Sequence, residues 1–232
     1  CPNLLSLGLS RTKVNNTALK AFANSCPHIM HLDVSHCEDI TDSGLTYAVR
    51  TLNLHSLSFA WSIGISAEII PEIAAHCADT LTTLYSCNLA NFTALRTVHH
   101  LNSCTKLRTL SVFTAPSDAS HFETIFSSDT MKRVTSLTID MFGVTDEMLI
   151  CIGQHCPQLQ RVCLTQDVYE CCPRYSATGI VNLILQLTNL ELIVVHKDAY
   201  VPSFVAGLMA RWPTLKFTFL NSMLYRVLEM DV

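Results

Sequence analysis

Eleven cysteines and ten histidines are the most reactive side chains of this 232-residue chain. Grouped at short spacing, thiolates and imidazoles hold zinc, and a thiolate beside an imidazole becomes a nucleophile. Cys151, His155 and Cys156 fall on one expected helix, but no second Cys/His block answers them, and the adjacent pair Cys171-Cys172 lacks chelating spacing. Catalytic motifs are equally scarce. Seven glycines form no phosphate loop, and neither G-x-S-x-G nor H-E-x-x-H occurs. The histidines are scattered and read as surface or loop residues. No catalytic residue, no metal and no cofactor is therefore expected.

What the cysteines share is phase. Cys26-Pro27, Cys104 and Cys156-Pro157, with Trp212-Pro213, each stand three residues before an apolar position, and Cys77 is one residue off. Small secreted chains use cysteine as a disulfide framework because their cores are thin. Here 49% of residues are hydrophobic and 15% charged, so the core is ample. Cysteines at equivalent repeat positions read instead as stacked, buried small hydrophobes, reduced in an intracellular compartment, cytoplasmic or nuclear. The sequons Asn15-Asn16-Thr17 and Asn91-Phe92-Thr93 coincide with expected helix caps.

The apolar positions themselves recur. Leu4, Ile29, Leu54, Leu81, Leu107, Val134, Leu159, Leu190 and Leu215 follow one another at 25 to 27 residues, with one step of 31. Three residues after each comes Leu7, Leu32, Leu57, Leu84, Leu110, Leu137, Val162 or Ile193, and five after it Leu9, Val34, Phe59, Val112, Ile139, Leu164 or Val195. The period-two pair marks a short strand with one buried face. The fourth unit, with Ser86 at the later slot, and the ninth, with Thr218 at the earlier one, fit least well.

The second half of each unit reads as a helix. An apolar residue followed by a cap residue recurs as Val14-Asn15, Ile40-Thr41, Ile65-Ser66, Phe92-Thr93 and Val144-Thr145. Helically spaced apolar residues follow, and the Cys-Pro or Trp-Pro phase ends the element, since proline cannot continue the ladder. Pro71 lies inside the helix expected over Ala67 to His76, in its first turn or at a kink.

A solenoid of about nine units over residues 1–220 follows, with residues 221–232 as a cap or tail. Leu224, Val227 and Leu228 are spaced to cap the last unit; the tail could otherwise fold back over Phe217, Phe219 and Val194. A net charge of −4 argues against nucleic acid, and no apolar run reaches the length of a membrane span. The chain opens on Cys1 and directly on repeat sequence, so further repeats or another domain are expected before it.

Residues Cys26 to Leu45, Cys-Pro-His-Ile-Met-His-Leu-Asp-Val-Ser-His-Cys-Glu-Asp-Ile-Thr-Asp-Ser-Gly-Leu, carry C-P-x-[LI]-x-x-L-x-[LV]-x-x-C-x-x-I-T-D-x-x-L. This resembles the cysteine-containing subfamily of leucine-rich repeats. Cys156-Pro157-Gln158-Leu159 and Val144-Thr145-Asp146 match parts of it, and all nine units share its phase. The resemblance implies an α/β, right-handed leucine-rich-repeat solenoid, a horseshoe with parallel strands on the concave face and helices on the convex one. It also implies the substrate-reading part of an F-box protein, the receptor of a Skp–cullin–F-box ubiquitin ligase. These residues contain no F-box, so a Skp-type adaptor would join only through an F-box upstream.

Function on such a frame falls to the outward strand positions, two, four and six after each anchor. The protein-binding candidates are His31, Asp33, Tyr85, Phe113, Asp140, Arg161, Leu192, Val194, His196, Phe217 and Phe219. Large apolar residues gather toward the C-terminus, as partner-binding patches do; the alternatives are a tail that covers them or a register slip of one residue in the last unit. The extra residues of the 31-residue unit, Gln166 to Tyr175, add Tyr169, Arg174 and Tyr175 as interface types on a loop. The expected function is non-catalytic: a protein substrate bound on the concave face and positioned for ubiquitination, without nucleic acid or membrane. A non-ligase scaffold or inhibitor on the same repeats is the alternative.

Overall fold

The computed structural model describes residues 1–86, 95–114, 123, 126–141, 144–166, 175–196 and 202–220. Nine strands form one sheet: β1 (Ser6–Gly8), β2 (His31–Asp33), β3 (Ser56–Ser58), β4 (Thr83–Tyr85), β5 (Thr109–Thr114), β6 (Ser136–Met141), β7 (Arg161–Gln166), β8 (Leu192–His196) and β9 (Lys216–Leu220). They lie side by side in chain order, every neighbouring pair parallel. Parallel neighbours need a crossover, and among the described residues seven of the eight gaps hold an α-helix. These are α1 (Asn16–Ser25), α2 (Asp42–Thr51), α3 (Ile69–His76), α4 (Asp129–Arg133), α5 (Asp146–His155), α6 (Ala177–Gln186) and α7 (Pro202–Arg211). A 3-10 helix, Leu95–Ser103, fills the gap between β4 and β5.

The apolar residue three after each anchor forms a row across the sheet. Leu7, Leu32, Leu57, Leu84, Leu110, Leu137, Val162 and Ile193 pair successively in register. From Leu32 onward each is at most 2% exposed. The helices close over this row with their own apolar stripes, such as Leu45, Ala48 and Val49 on α2 or Met148, Leu149 and Ile152 on α5. Each unit buries its row only against its neighbours, which is how a solenoid is held.

Helix ends obey the cysteine phase. Cys26, Cys77 and Cys156 stand just past α1, α3 and α5, and each donates its backbone N–H to the carbonyl four residues back. Their side chains are at most 4% exposed. A turn then brings the next anchor in, as where Leu159 N–H bonds the Cys156 carbonyl at 3.2 Å. All eight described cysteines are free thiols. Pro71 is the third residue of α3, in its first turn, where no N–H is missed.

Two units depart from expectation. Ser86 is in phase after all: it is 3% exposed, and its hydroxyl donates to the Ser111 carbonyl at 2.9 Å, so a buried polar group is satisfied. The ninth strand is shifted by one residue. Ile193 pairs with Phe217 and Val195 with Phe219, so Phe217 and Phe219 take the core-facing register, and Thr218 stands opposite Val194 on the open face. Phe217 packs, half-buried, against the core. Moving the register one step sends each side chain to the other face, and partly burying the Phe217 ring in place of the Thr218 hydroxyl outweighs keeping the repeat length.

Candidate functional site

Short strands with small side chains leave room above the sheet at its β1–β4 end. Ser6 and Gly8 of β1, His31 and Asp33 of β2, Ser56 and Ser58 of β3 and Tyr85 of β4 surround a hollow of about 230 Å³. Leu7 and Leu32 contribute at its base. The carboxylate of Asp33 accepts the Ser35 N–H at 2.8 Å through Oδ1, and the hydroxyls of Ser35 and Ser58 meet at 2.6 Å. That turn fixes the carboxylate at the exit of β2. Nδ1 of His31 is buried and has no hydrogen-bond partner.

Beyond the strand exits runs a ladder of three side chains spaced by 25 residues. Arg11, His36 and Trp61 all have left-handed backbones, with φ of 61°, 55° and 61°. Non-glycine residues adopt this conformation at a cost, so the surroundings must hold it. Backbone bonds do so: Arg11 N–H to the Ser35 carbonyl at 2.9 Å, and His36 N–H to the Ala60 carbonyl at 2.8 Å. The side chains continue the stack. Arg11 Nη2 lies 3.3 Å from His36 Nε2, and the His36 and Trp61 rings stack 11° from parallel with centroids 6.3 Å apart. Guanidinium only donates, so His36 Nε2 accepts and the ring is neutral. Burial and then the Arg11 charge lower the His36 pKa, against a weaker pull from Asp33.

The expected site residues separate into groups. His31, Asp33 and Tyr85 come together in the hollow. Phe113 and Asp140 occupy paired positions of β5 and β6, but their side chains lie outside the described residues, as does that of His196 at the end of β8. Arg161 is exposed at the start of β7, beside half-buried Leu192 in register. Val194 is only 3% exposed and its neighbour Cys163 6%, so Val194 forms no exposed patch. Phe217 and Phe219 are corrected to the core register as above. Tyr169 and Arg174 lie outside the described residues, as do residues 221–232.

Tyr175 is a correction as well. It is 7% exposed and belongs to the core, not to an exposed loop. It directly precedes Ser176, whose hydroxyl accepts from Gly179 N–H as the cap of α6. Tyr175-Ser176 thus repeats the apolar-then-cap pair of Val144-Thr145 and Ile40-Thr41, and that pattern was the available signal. The ladder had a signal too: Arg11, His36 and Trp61 each stand seven residues after an anchor. Among the described residues no group of three or more His, Cys, Asp or Glu stands together to hold a metal, and no helix is long and apolar enough to cross a membrane.

Two sequence comparisons agree with the repeat reading. The family model described as Leucine Rich repeat matches residues 25–47, the stretch that carries the full motif. F-box/LRR-repeat protein 5 of Mus musculus is 35% identical over 92 residues, covering 38% of this chain. The chain spans only 13% of the length of that relative. A crystal structure of a protein from Bacteroides fragilis aligns with 96% of this chain and 66% of its own, with a TM-score of 0.49 and 11% identity. The nine parallel strands, the stacked apolar rows and the motif of residues 25–47 make this chain a leucine-rich-repeat solenoid whose repeats resemble those of F-box/LRR proteins.

Proposed function

We propose that this solenoid is the substrate-reading part of a Skp–cullin–F-box ubiquitin-ligase receptor, working inside the cell, in cytoplasm or nucleus. It binds a protein target on the open face of the sheet and catalyses nothing itself. Partner enzymes supply the chemistry, and the chain supplies proximity and orientation. The observation that carries the binding half is the hollow over β1–β4, where polar groups converge on a concave surface. The identity shared with F-box/LRR-repeat protein 5 supports the ligase half.

The test uses the full-length protein that contains these repeats. Tagged and recovered from cells, it is expected to bring down a Skp-type adaptor and a cullin, and a target that accumulates when the ligase is blocked. Recovery of a protein partner without adaptor or cullin overturns the ligase role and leaves a non-ligase scaffold or inhibitor on the same face.

A further inference from the structure

The hollow over β1–β4 is lined by groups of one chemical sense. Among the described residues that line it, Asp33 alone carries a formal charge, and none is lysine or arginine. Among the described residues no cation is bonded to Asp33; its Oδ1 takes a single backbone N–H. The hydroxyls of Ser56 and Ser58 and the imidazole of His31 stand beside it. His31 Nδ1 is buried and without a hydrogen-bond partner. Tyr85 closes the far side with an aromatic ring. Arg11, beyond the strand exits, is directed at His36 instead.

Size narrows the occupant. At about 230 Å³ the hollow is smaller than the roughly 300–1,000 Å³ of drug-sized ligand sites. It suits one long side chain entering from above. A donor-rich cation meets a carboxylate, serine hydroxyls and an aromatic face at once, and charge-assisted bonds to Asp33 give such a contact direction. An acidic side chain would meet Asp33 with like charge.

We infer that the β1–β4 hollow receives a single basic side chain, lysine or arginine, presented by a protein partner. The inference rests on the reading of the open face as a protein-binding surface. It adds the chemistry of the anchor and is independent of any ligase link.

The experiment titrates the whole chain with blocked tripeptides, acetyl-Gly-X-Gly-amide, where X is arginine, lysine, citrulline or glutamate. NMR signals of the His31 imidazole and the Tyr85 ring report occupancy. The arginine or lysine peptide is expected to give a saturable shift, and the citrulline and glutamate peptides to bind at least about tenfold more weakly, a difference of about 1.4 kcal/mol. Asp33→Asn keeps an Oδ1 for the Ser35 N–H and so keeps the turn, yet is expected to lose the same factor. Gly8→Leu fills the hollow sterically; a Cβ there meets nothing within 4 Å, so folding is retained and binding is lost. No saturable shift with either basic peptide, equal binding of citrulline or glutamate, or wild-type binding by either variant overturns the inference. Because the readout involves no adaptor, its failure is distinct from failure of the ligase reading.

Discussion

Asn16 and Thr41 hold adjacent repeats together by exchanging two hydrogen bonds. Thr41 N–H donates to Asn16 Oδ1 at 3.0 Å, and Asn16 Nδ2 donates to Thr41 Oγ1 at 2.8 Å. Thr41 is the N-cap of α2, yet its side chain makes no bond to its own helix. The same link recurs where Asp42, first residue of α2, accepts from Ser66 N–H at 2.7 Å, and where Asp146, first residue of α5, accepts from Ser176 N–H at 2.7 Å. In two of these links the first residue of one helix reaches the N-cap of the next, and in the third it reaches Ser66, two residues before Glu68, the N-cap of α3.

Gly44 makes the approach feasible. A Cβ there would collide with Asn16 Oδ1, as one on Gly179 would with Asp146 Oδ1. Gly44→Ala should therefore destabilise the chain although alanine is the better helix former. Two displaced bonds at about 1 kcal/mol each oppose a helix gain of up to about 1, leaving a loss of about 1–2 kcal/mol. Urea denaturation measures it. Asn16→Ala should cost less in the Gly44→Ala background than alone, because the shared contact is already gone; additive losses would refute the link.

The shifted last strand makes its own forecast. With Phe217 on the core side and Thr218 on the open face, Phe217→Ala should cost about 1–3 kcal/mol, below the full-burial range because the ring is only half-buried. Thr218→Ala, an exposed change, should stay within about 0.5 kcal/mol. The reverse order in thermal or urea melts would restore the unshifted register.

These residues show what the sequence made legible. Strand positions, cap positions and the core row could be read because each depends on a period within one chain segment, and stacked copies reinforce it. Phe217 is harder to place, because a constant repeat length sends it outward while a slip of one residue, equally open in the sequence, sends it to the core. The hollow escaped because it is built from absence: Ser6, Gly8, Ser56 and Ser58 matter by being small on neighbouring strands, beneath Tyr85. Asn16 could be read as a helix-start residue, but its partner lies 25 residues away, across a contact that only stacking creates. The left-handed backbones of Arg11, His36 and Trp61 carry no glycine to announce them.

Stacking of His36 on Trp61 gives a pH readout. The His36 pKa is lowered from its usual 6.5, first by burial and then by Arg11. A histidine whose folded pKa lies below its unfolded one contributes stability that is full above about 6.5 and is lost as pH falls through the folded value. In a Trp212→Phe variant, Trp61 fluorescence should titrate with a midpoint below 6.5, and His36→Gln should abolish the transition. A midpoint at or above 6.5 would contradict the neutral, Arg11-bonded ring.

The cysteines supply the opposite limb. Burial, with Cys151 nearby, pushes the Cys156 thiol up to about 12, and burial, with Cys104 nearby, pushes Cys77 to about 11. Thiolates are the reactive form, so both should be inert at neutral pH while exposed Cys1 is alkylated at once. Iodoacetamide labelling of the folded chain, read by peptide mass, should leave Cys77 and Cys156 unmodified until denaturant is added. Raised folded values also fix a sign. Their contribution is full below the ordinary thiol value of 9.0 and is lost as pH rises through about 11 to 12. Alanine replaces a buried thiol at some loss of packing, so Cys156→Ala should be less stable at pH 7 yet lose less stability than wild type between pH 9 and 12. Equal alkaline slopes in the two proteins would mean that Cys156 does not ionise with unfolding, and rapid labelling of Cys156 in the native state would place it outside the core.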